Sequence, residues 1–346
     1  MFSKNLKYYR LKNSLTKKEL AKRLNITSMA ITHYENGDRK PNMEILEQLA
    51  CEFQIRVSDF LSVRNENLEF QHGEFRKNTT LTSSQQEYIR ESVEEYLARF
   101  MNVVEILGGE VLPAAPKLHA LDLQHDDDIN AQMLRNHLHL ASEGPINNLI
   151  GLLENKGFLI LQSDINSDKF SGMNGMVNEH PYIVINPSMT TERNRSTIVH
   201  ELAHMMFHWP NHLDEKSIET RATSISGAFL FPKKDVIREL GIRRNAIAND
   251  MTLTAKEYGI SMLLLVTRAK ICSVINEGVA KDFFIKASAH GWRKEEPSRI
   301  AEEEPKLFEQ LVLRAINEGE ISIQKGAELL KLPYDEVKTR CCFVEE

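Results

Sequence analysis

Apolar and polar residues follow two periods along this chain. Over residues 85–106, QQEYIRESVEEYLARFMNVVEI, the positions Ile89, Val93, Leu97, Phe100 and Val104 recur at helical spacing, which predicts a long amphipathic helix. In LTKKELAKRLNITSMAITHYENGDRKP, Leu15, Leu20, Ala21 and Leu24 supply an apolar face. Thr16 is placed to cap a first helix, with Glu19 three residues on in capping-box position. Asn25 suits the turn, Thr27 caps a second helix over 28–36, and Gly37 ends it. That second helix buries Ile31 and Tyr34 and turns Ser28, Met29, Thr32 and His33 outward. Two short helices with so tight a turn predict a helix-turn-helix, whose second helix is of a size to enter a major groove. FLILQ and YIVINP are short, apolar and β-branched, and predict strands. DINAQMLRNHLHL and NNLIGLLENKG predict helices, with Gly157 at the C-cap of the latter. Further helices are expected over 196–209, over 215–230 ahead of Pro232, and beyond residue 240.

The fold class expected is α+β: an all-helical N-terminal helix-turn-helix domain, a mainly helical domain with a small β-sheet, and a helical C-terminal extension. The expected boundaries are 1–64 for the first, a polar, weakly periodic linker over 65–84, 85–240 for the second and 241–346 for the third. Within the last region, residues 315–337 scan as helix, turn, helix, with Pro333 near a helix start. Its acidic surroundings favour packing over DNA contact.

Composition narrows the class. Of 346 residues, 42% are hydrophobic and 27% charged, as in a globular protein of two or three domains. No apolar run has the length of a membrane span, and the N-terminus lacks the apolar core of a signal peptide. Cys51, Cys272, Cys341 and Cys342 form no paired framework, so the expected home is a reducing cytoplasm. The net charge of −6 is unevenly spread: residues 1–64 carry 12 Lys/Arg against 7 Asp/Glu, a net of +5, leaving −11 for the rest. A basic head on an acidic body suits a protein that meets nucleic acid only through the head.

Chemistry concentrates in STIVHELAHMMFHW, Ser196 to Trp209. At about 100° per residue, His200 and His204 share one helix face with Glu201 at its side. Ile198, Val199, Leu202, Met205 and Met206 gather opposite. Imidazoles one turn apart can reach one ion, and neutral nitrogen donors suit Zn²⁺. Glu201 is placed to take a proton from a water on that ion. This is the H-E-x-x-H pattern of metallopeptidases. A third ligand is needed, and His208, His212, Asp214, Glu215 and Glu219 follow. His208 lies about 12 Å of helix rise beyond His200, too far for one ion. Glu219 opens the next helix, from which a carboxylate would complete a His₂Glu site with water in the fourth position. A closed structural zinc site would be expected to draw on cysteines, and none lies near the motif. YIVINP is a candidate edge strand beside the cleft, and His180, Tyr182 and His208 are candidates to stabilise an oxyanion.

Two resemblances follow from these residues. Residues 4–62, through MEILEQLACEFQIRVSDFL, resemble the phage-repressor (Xre) helix-turn-helix family. The resemblance implies a five-helix domain in which Ser28, Met29 and His33 face base edges, with Thr32 on the same outward side, and Lys17, Arg39 and Lys40 meet phosphates of a double-stranded operator. Lys17 departs from the glutamine often found there. HELAHMMFH, together with Glu219, Ala222 and Phe231-Pro232, resembles the ImmA/IrrE family of zinc metallopeptidase-like proteins, which implies a zincin-like fold for the second domain. That resemblance runs upstream through NNLIGLLENKGFLIL and YIVINP, and downstream through LTAKEYGISMLLLVTRAKI. FRKNTTL, 75–81, is similar to a segment of the longer members that carry an Xre head. The resemblance implies that His200, His204 and Glu219 hold Zn²⁺ and that Glu201 is the catalytic carboxylate. Ala203 stands where glycine is common, and Ile225-Ser226 where Phe-Ala is usual.

Together these imply a cytoplasmic DNA-binding regulator with a zinc-dependent metallopeptidase domain that cleaves a repressor partner, or cleaves itself near the linker. The alternative is an antitoxin that neutralises a neighbouring toxin and autoregulates its operon with little turnover. Either reading predicts operator binding and no membrane, and a homodimer would suit paired half-sites.

Overall fold

The computed structural model describes residues 2–61, 68–73, 81–163, 165, 167 and 169–342. Of the expected linker, residues 65–67 and 74–80 lie outside these, as does most of FRKNTTL. The chain divides into two compact units, 1–111 with 163–165 and 308–346, and 112–162 with 166–307.

The first unit opens with α1 (Phe2–Lys12), α2 (Lys17–Arg23), α3 (Ser28–Asn36), α4 (Met43–Phe53) and α5 (Val57–Leu61). Thr16 and Glu19 form a reciprocal capping box on α2, satisfying two backbone N–H groups that the helix leaves open. Asn25 takes the left-handed conformation at the turn, φ 52°. Thr27 then caps α3, and Gly37, φ 82°, stops it. Leu6, Leu20, Ile31, Leu49 and Phe60 are wholly buried in one small core.

A short strand β1 (Phe70–His72) precedes the long α6 (Ser83–Ile106), which Thr82 and Gln85 cap. Ile89, Val93, Leu97, Phe100 and Val104 are all buried, so the helical periodicity marks a real core face.

The second unit holds β2 (Leu121–Asp122), α7 (Asp127–His137), α8 (Leu149–Glu154), β3 (Leu159–Gln162), β4 (Gly172–Val177), β5 (His180–Ile185), α9 (Thr191–Met206), β6 (Phe207–His208), α10 (Glu215–Leu230), α11 (Lys233–Leu240), α12 (Asn249–Tyr258), α13 (Met262–Ile271) and α14 (Glu277–Ala289). β5 pairs parallel with β3 and antiparallel with β4. YIVINP is therefore not the edge strand expected from sequence. The glycine-containing GMNGMV, which carries little β-propensity, forms the strand β4 beside it. α8 ends at Glu154 with Asn155 as its C-cap, two residues before the expected Gly157 cap. Gly157 is still required: at φ 82° any Cβ would lie 2.4 Å from the carbonyl oxygen of Pro113.

α9 packs on β4, β5 and α10, and α10 packs on α7. Ile198, Val199, Leu202 and Met206 are wholly buried, as the apolar stripe predicts. Two buried charges near the start of α9 find partners in distant segments. Arg195 on α9 pairs with Glu303 and donates to Ile146 O at 2.6 Å. Glu192 accepts from the backbone N–H of Ile300 at 2.6 Å. These contacts strap the segment after α14 along the start of α9.

The chain then returns to the first unit as α15 (Leu307–Asn317), α16 (Ile323–Leu330) and α17 (Tyr334–Cys341). Phe308 stacks on Phe100 of α6 with centroids 5.2 Å apart, and Arg99 donates to the carbonyl of Leu329. The same long helix receives α1. Lys7 reaches Glu87 and Glu91, each at 2.8 Å, and Tyr8 stacks on Tyr88 at 6.2 Å. Lys331 joins all three segments, lying 2.8 Å from Glu95 and 5.0 Å over the Tyr8 ring. Burial would lower the Lys331 pKa and does so against the pull of Glu95. Burial would raise the Glu95 carboxyl, but Arg99 and then Lys331 outweigh it and hold it below the ordinary range. That contribution is present at neutral pH and is lost as the pH falls below about 4.

This seam generates a prediction. A specific protease site inserted between residues 73 and 81 and cut to completion should leave the two fragments eluting together at low salt. Lys4 lies 3.8 Å from Glu94 of α6, so Lys4→Glu with Lys7→Glu should separate them, each substitution setting like charges against that helix. Separation of the unsubstituted fragments at low salt would show that the seam does not hold.

Candidate functional site

α9 owes its start to Thr190, whose side chain accepts from Arg193 N, and its end to Phe207, where the backbone turns extended. His200 and His204 lie one turn apart on it, with ring centroids at 4.8 Å. α10 starts at Asp214, which caps it by accepting from Ser217 N at 3.0 Å. That role takes Asp214 out of contention as a ligand. Glu219, one turn further in, faces the histidines: its Oε1 lies 3.1 Å from His204 Nε2 and its Oε2 3.4 Å from His200 Nε2. The two Nε2 atoms are 3.1 Å apart.

These spacings test the fit to an ion. Donors at about 2.0–2.1 Å from a tetrahedral centre stand about 3.3 Å from one another, close to the 3.1 Å between the two Nε2 atoms and to the distance from each Nε2 to its nearer Glu219 oxygen. Among the described residues, these three are the one group of His, Cys, Asp or Glu able to converge on a metal in this way. Thr223, one turn beyond Glu219, sharpens the match. Its hydroxyl donates to Glu219 O at 2.9 Å and stands 3.2 Å from His200 Nδ1. With its own proton committed, Oγ1 can only accept from Nδ1–H, which leaves the His200 Nε2 lone pair facing the site. Trp209 closes the far side, packing 5.6 Å from the His204 ring and donating to His204 O.

Glu201 is buried beside the triad, and its Oε2 accepts from Asn174 Nδ2 on β4 at 2.8 Å. The remaining candidates sit elsewhere. His208 leaves the helix on β6, where it is exposed and pairs with Asp122 at 3.1 Å. Tyr182 is wholly buried in β5. His180 begins that strand, and burial pulls its pKa down. Asn174, Thr223 and Trp209 were missed from sequence. Thr223 has a local signal, four residues after Glu219 on the same helix face, whereas Asn174 has none.

In the first unit, Ser28, His33, Arg39 and Lys40 are exposed, and Met29 is 62% exposed. His33 Nδ1 lies 3.1 Å from Asp38, and Thr32 donates to Ser28 O. Lys17 differs from the expected phosphate contact: it lies 3.4 Å from Glu35, a buried carboxylate that Arg10 also holds. Its charge is therefore partly spent inside the domain.

The helix-turn-helix family matches residues 6–60, covering the whole of α2 and α3. The IrrE N-terminal-like domain family matches residues 154–270, which contain Asn174, the triad, Glu201 and Thr223. No curated protein matches the chain. Among the described residues no helix is long and apolar enough to cross a membrane.

The Thr223 hydroxyl can be tested by substitution. Thr223→Val keeps the shape but removes the acceptor for His200 Nδ1–H. It should weaken zinc binding about 10–100-fold in a chelator competition, with unchanged circular dichroism. Unaltered affinity would mean that Thr223 does not set the tautomer.

Proposed function

Because the chain joins a helix-turn-helix segment to an IrrE N-terminal-like segment, we propose that it is a DNA-binding regulator carrying a zinc-dependent peptidase site that cuts a partner repressor. The observation that carries this reading is the convergence of His200, His204 and Glu219 with Glu201 beside them. Their donor chemistry, two neutral nitrogens and one carboxylate, suits zinc and leaves one position for a non-protein ligand. When bound, zinc supplies an acidified water and polarises a carbonyl. Glu201 takes a proton during attack and returns it to the leaving amine. Thr223 keeps the His200 Nε2 lone pair toward the site, and the burial of α9 keeps bulk water from its inner face.

The head binds an operator through α3, with Ser28, Met29 and His33 toward base edges and Arg39 and Lys40 toward phosphates. Lys17 contributes less, since Glu35 holds it. Paired half-sites would be read by a homodimer. Acting on DNA and a repressor places the protein in the cytoplasm.

Cutting a separate regulator is favoured over self-cleavage. A cut within 65–84 would sever the covalent link, yet Lys7 and Tyr8 would still hold α1 on α6.

The test pairs the protein with the repressor encoded nearest to it and follows cleavage by mass spectrometry. One cut is expected, and Glu201→Gln should slow it about 10²–10⁴-fold while metal content and the operator gel shift stay as they were. Cleavage by Glu201→Gln at the unmodified rate would overturn the proposal. Tight binding of a co-encoded toxin with no cleavage of any partner would establish the antitoxin role instead.

A further inference from the structure

We propose that Asn174 is the positioning residue for the Glu201 carboxylate, and that Gly172 is what lets it reach. The proposal rests on Glu201 being the working carboxylate of the peptidase site. Successive side chains of a strand alternate in direction, so Gly172 and Asn174 share one face of β4. Thr197 and Glu201 lie one turn apart on α9 and share one face of that helix. The two faces meet. A Cβ on residue 172 would stand 2.5 Å from Thr197 Cγ2 and 2.8 Å from the backbone oxygen of Val184. Only glycine permits that approach without moving the strand or the helix. Two residues along, the same closeness brings Asn174 Nδ2 to 2.8 Å from Glu201 Oε2.

The chemistry of the pair is directional. Were the carboxamide reversed, its oxygen would face a carboxylate oxygen at hydrogen-bond distance, two acceptors with no proton between them. Nδ2 therefore faces Glu201 and donates. With Oε2 taken, the carboxylate plane is fixed, and among the described residues no hydrogen bond is made to Oε1. Oε1 is the atom left to accept a proton. A carboxamide neither gives up nor takes a proton near neutral pH, so Asn174 orients the carboxylate without competing in its proton transfer. A serine would be too short to span the gap, and an aspartate would place a second negative charge there.

The test has two arms, both on the full chain. In metal-free protein with ¹⁵N-labelled asparagine side chains, the Asn174 amide signal is identified by its loss in Asn174→Ala. It should move when Glu201→Ala is introduced, and a signal that stays put would overturn the proposal. In cobalt-loaded protein, acetohydroxamate is titrated by visible absorption. A hydroxamic acid surrenders a proton to a neighbouring carboxylate as it binds, so its affinity reads where Glu201 stands. Asn174→Ala should weaken it on the order of tenfold, with the cobalt spectrum before titration unchanged. Gly172→Ala should act in the same direction while retaining the asparagine. Affinities equal to that of the unmodified protein in both variants would overturn the proposal. Should the unmodified protein take up no cobalt, the metal-centre reading fails, and the metal-free amide signal alone decides whether Asn174 holds Glu201.

Discussion

Three donor atoms can share a point only if the two helices that carry them are locked in register, and the α9–α10 contact supplies that lock. Imidazoles on successive turns of α9 meet a carboxylate from the first turns of α10 at 3.1–3.4 Å. Ala222 and Ile225 are wholly buried in the shared core, so the axial position of α10 is set by packing. Ser226 adds a directional contact, donating to the carbonyl of Ser196 at 2.8 Å. Position 226 is one where the resemblance leads one to expect alanine, so here a hydroxyl replaces a methyl at the joint that fixes the site. On the other face of α9, β4 closes in because residue 172 has no side chain. The site is thus held between a helix and a strand, neither of which could shift by half a turn or one residue without dispersing it.

The same logic of distant segments meeting one helix governs the first unit. α6 presents Glu87, Glu91 and Glu95 to α1 and Lys331, and Phe100 to Phe308. The head is tied to the chain twice, by covalent connection and by this seam. Exposed ion pairs contribute little singly, but Glu91 and Glu95 are largely shielded and the aromatic contacts add area.

Legibility from sequence followed the range of the interaction. The Thr16–Glu19 capping box, the turn at Asn25, the Gly37 stop and the bounds of α3 and α10 were readable, because each depends on neighbours within a turn. The triad was readable because i, i+4 histidines and a carboxylate at the next helix start constrain one another. Asn174 was not, because GMNGMV pairs with β5 and touches Glu201 only in three dimensions. The edge-strand assignment of YIVINP failed for the same reason: a glycine-rich partner gives no β signal. The partial neutralisation of Lys17 depends on Glu35, a residue of the other helix of the motif, and the union of α6 with α15–α17 spans two hundred residues of chain.

X-ray absorption of the purified, zinc-supplied protein should show one zinc per chain in a shell of nitrogen and oxygen at about 2.0–2.1 Å, two of the scatterers giving the outer-ring signature of imidazole. A shell containing sulfur at about 2.3 Å, or protein that retains no zinc, would contradict a zinc site built from His200, His204 and Glu219.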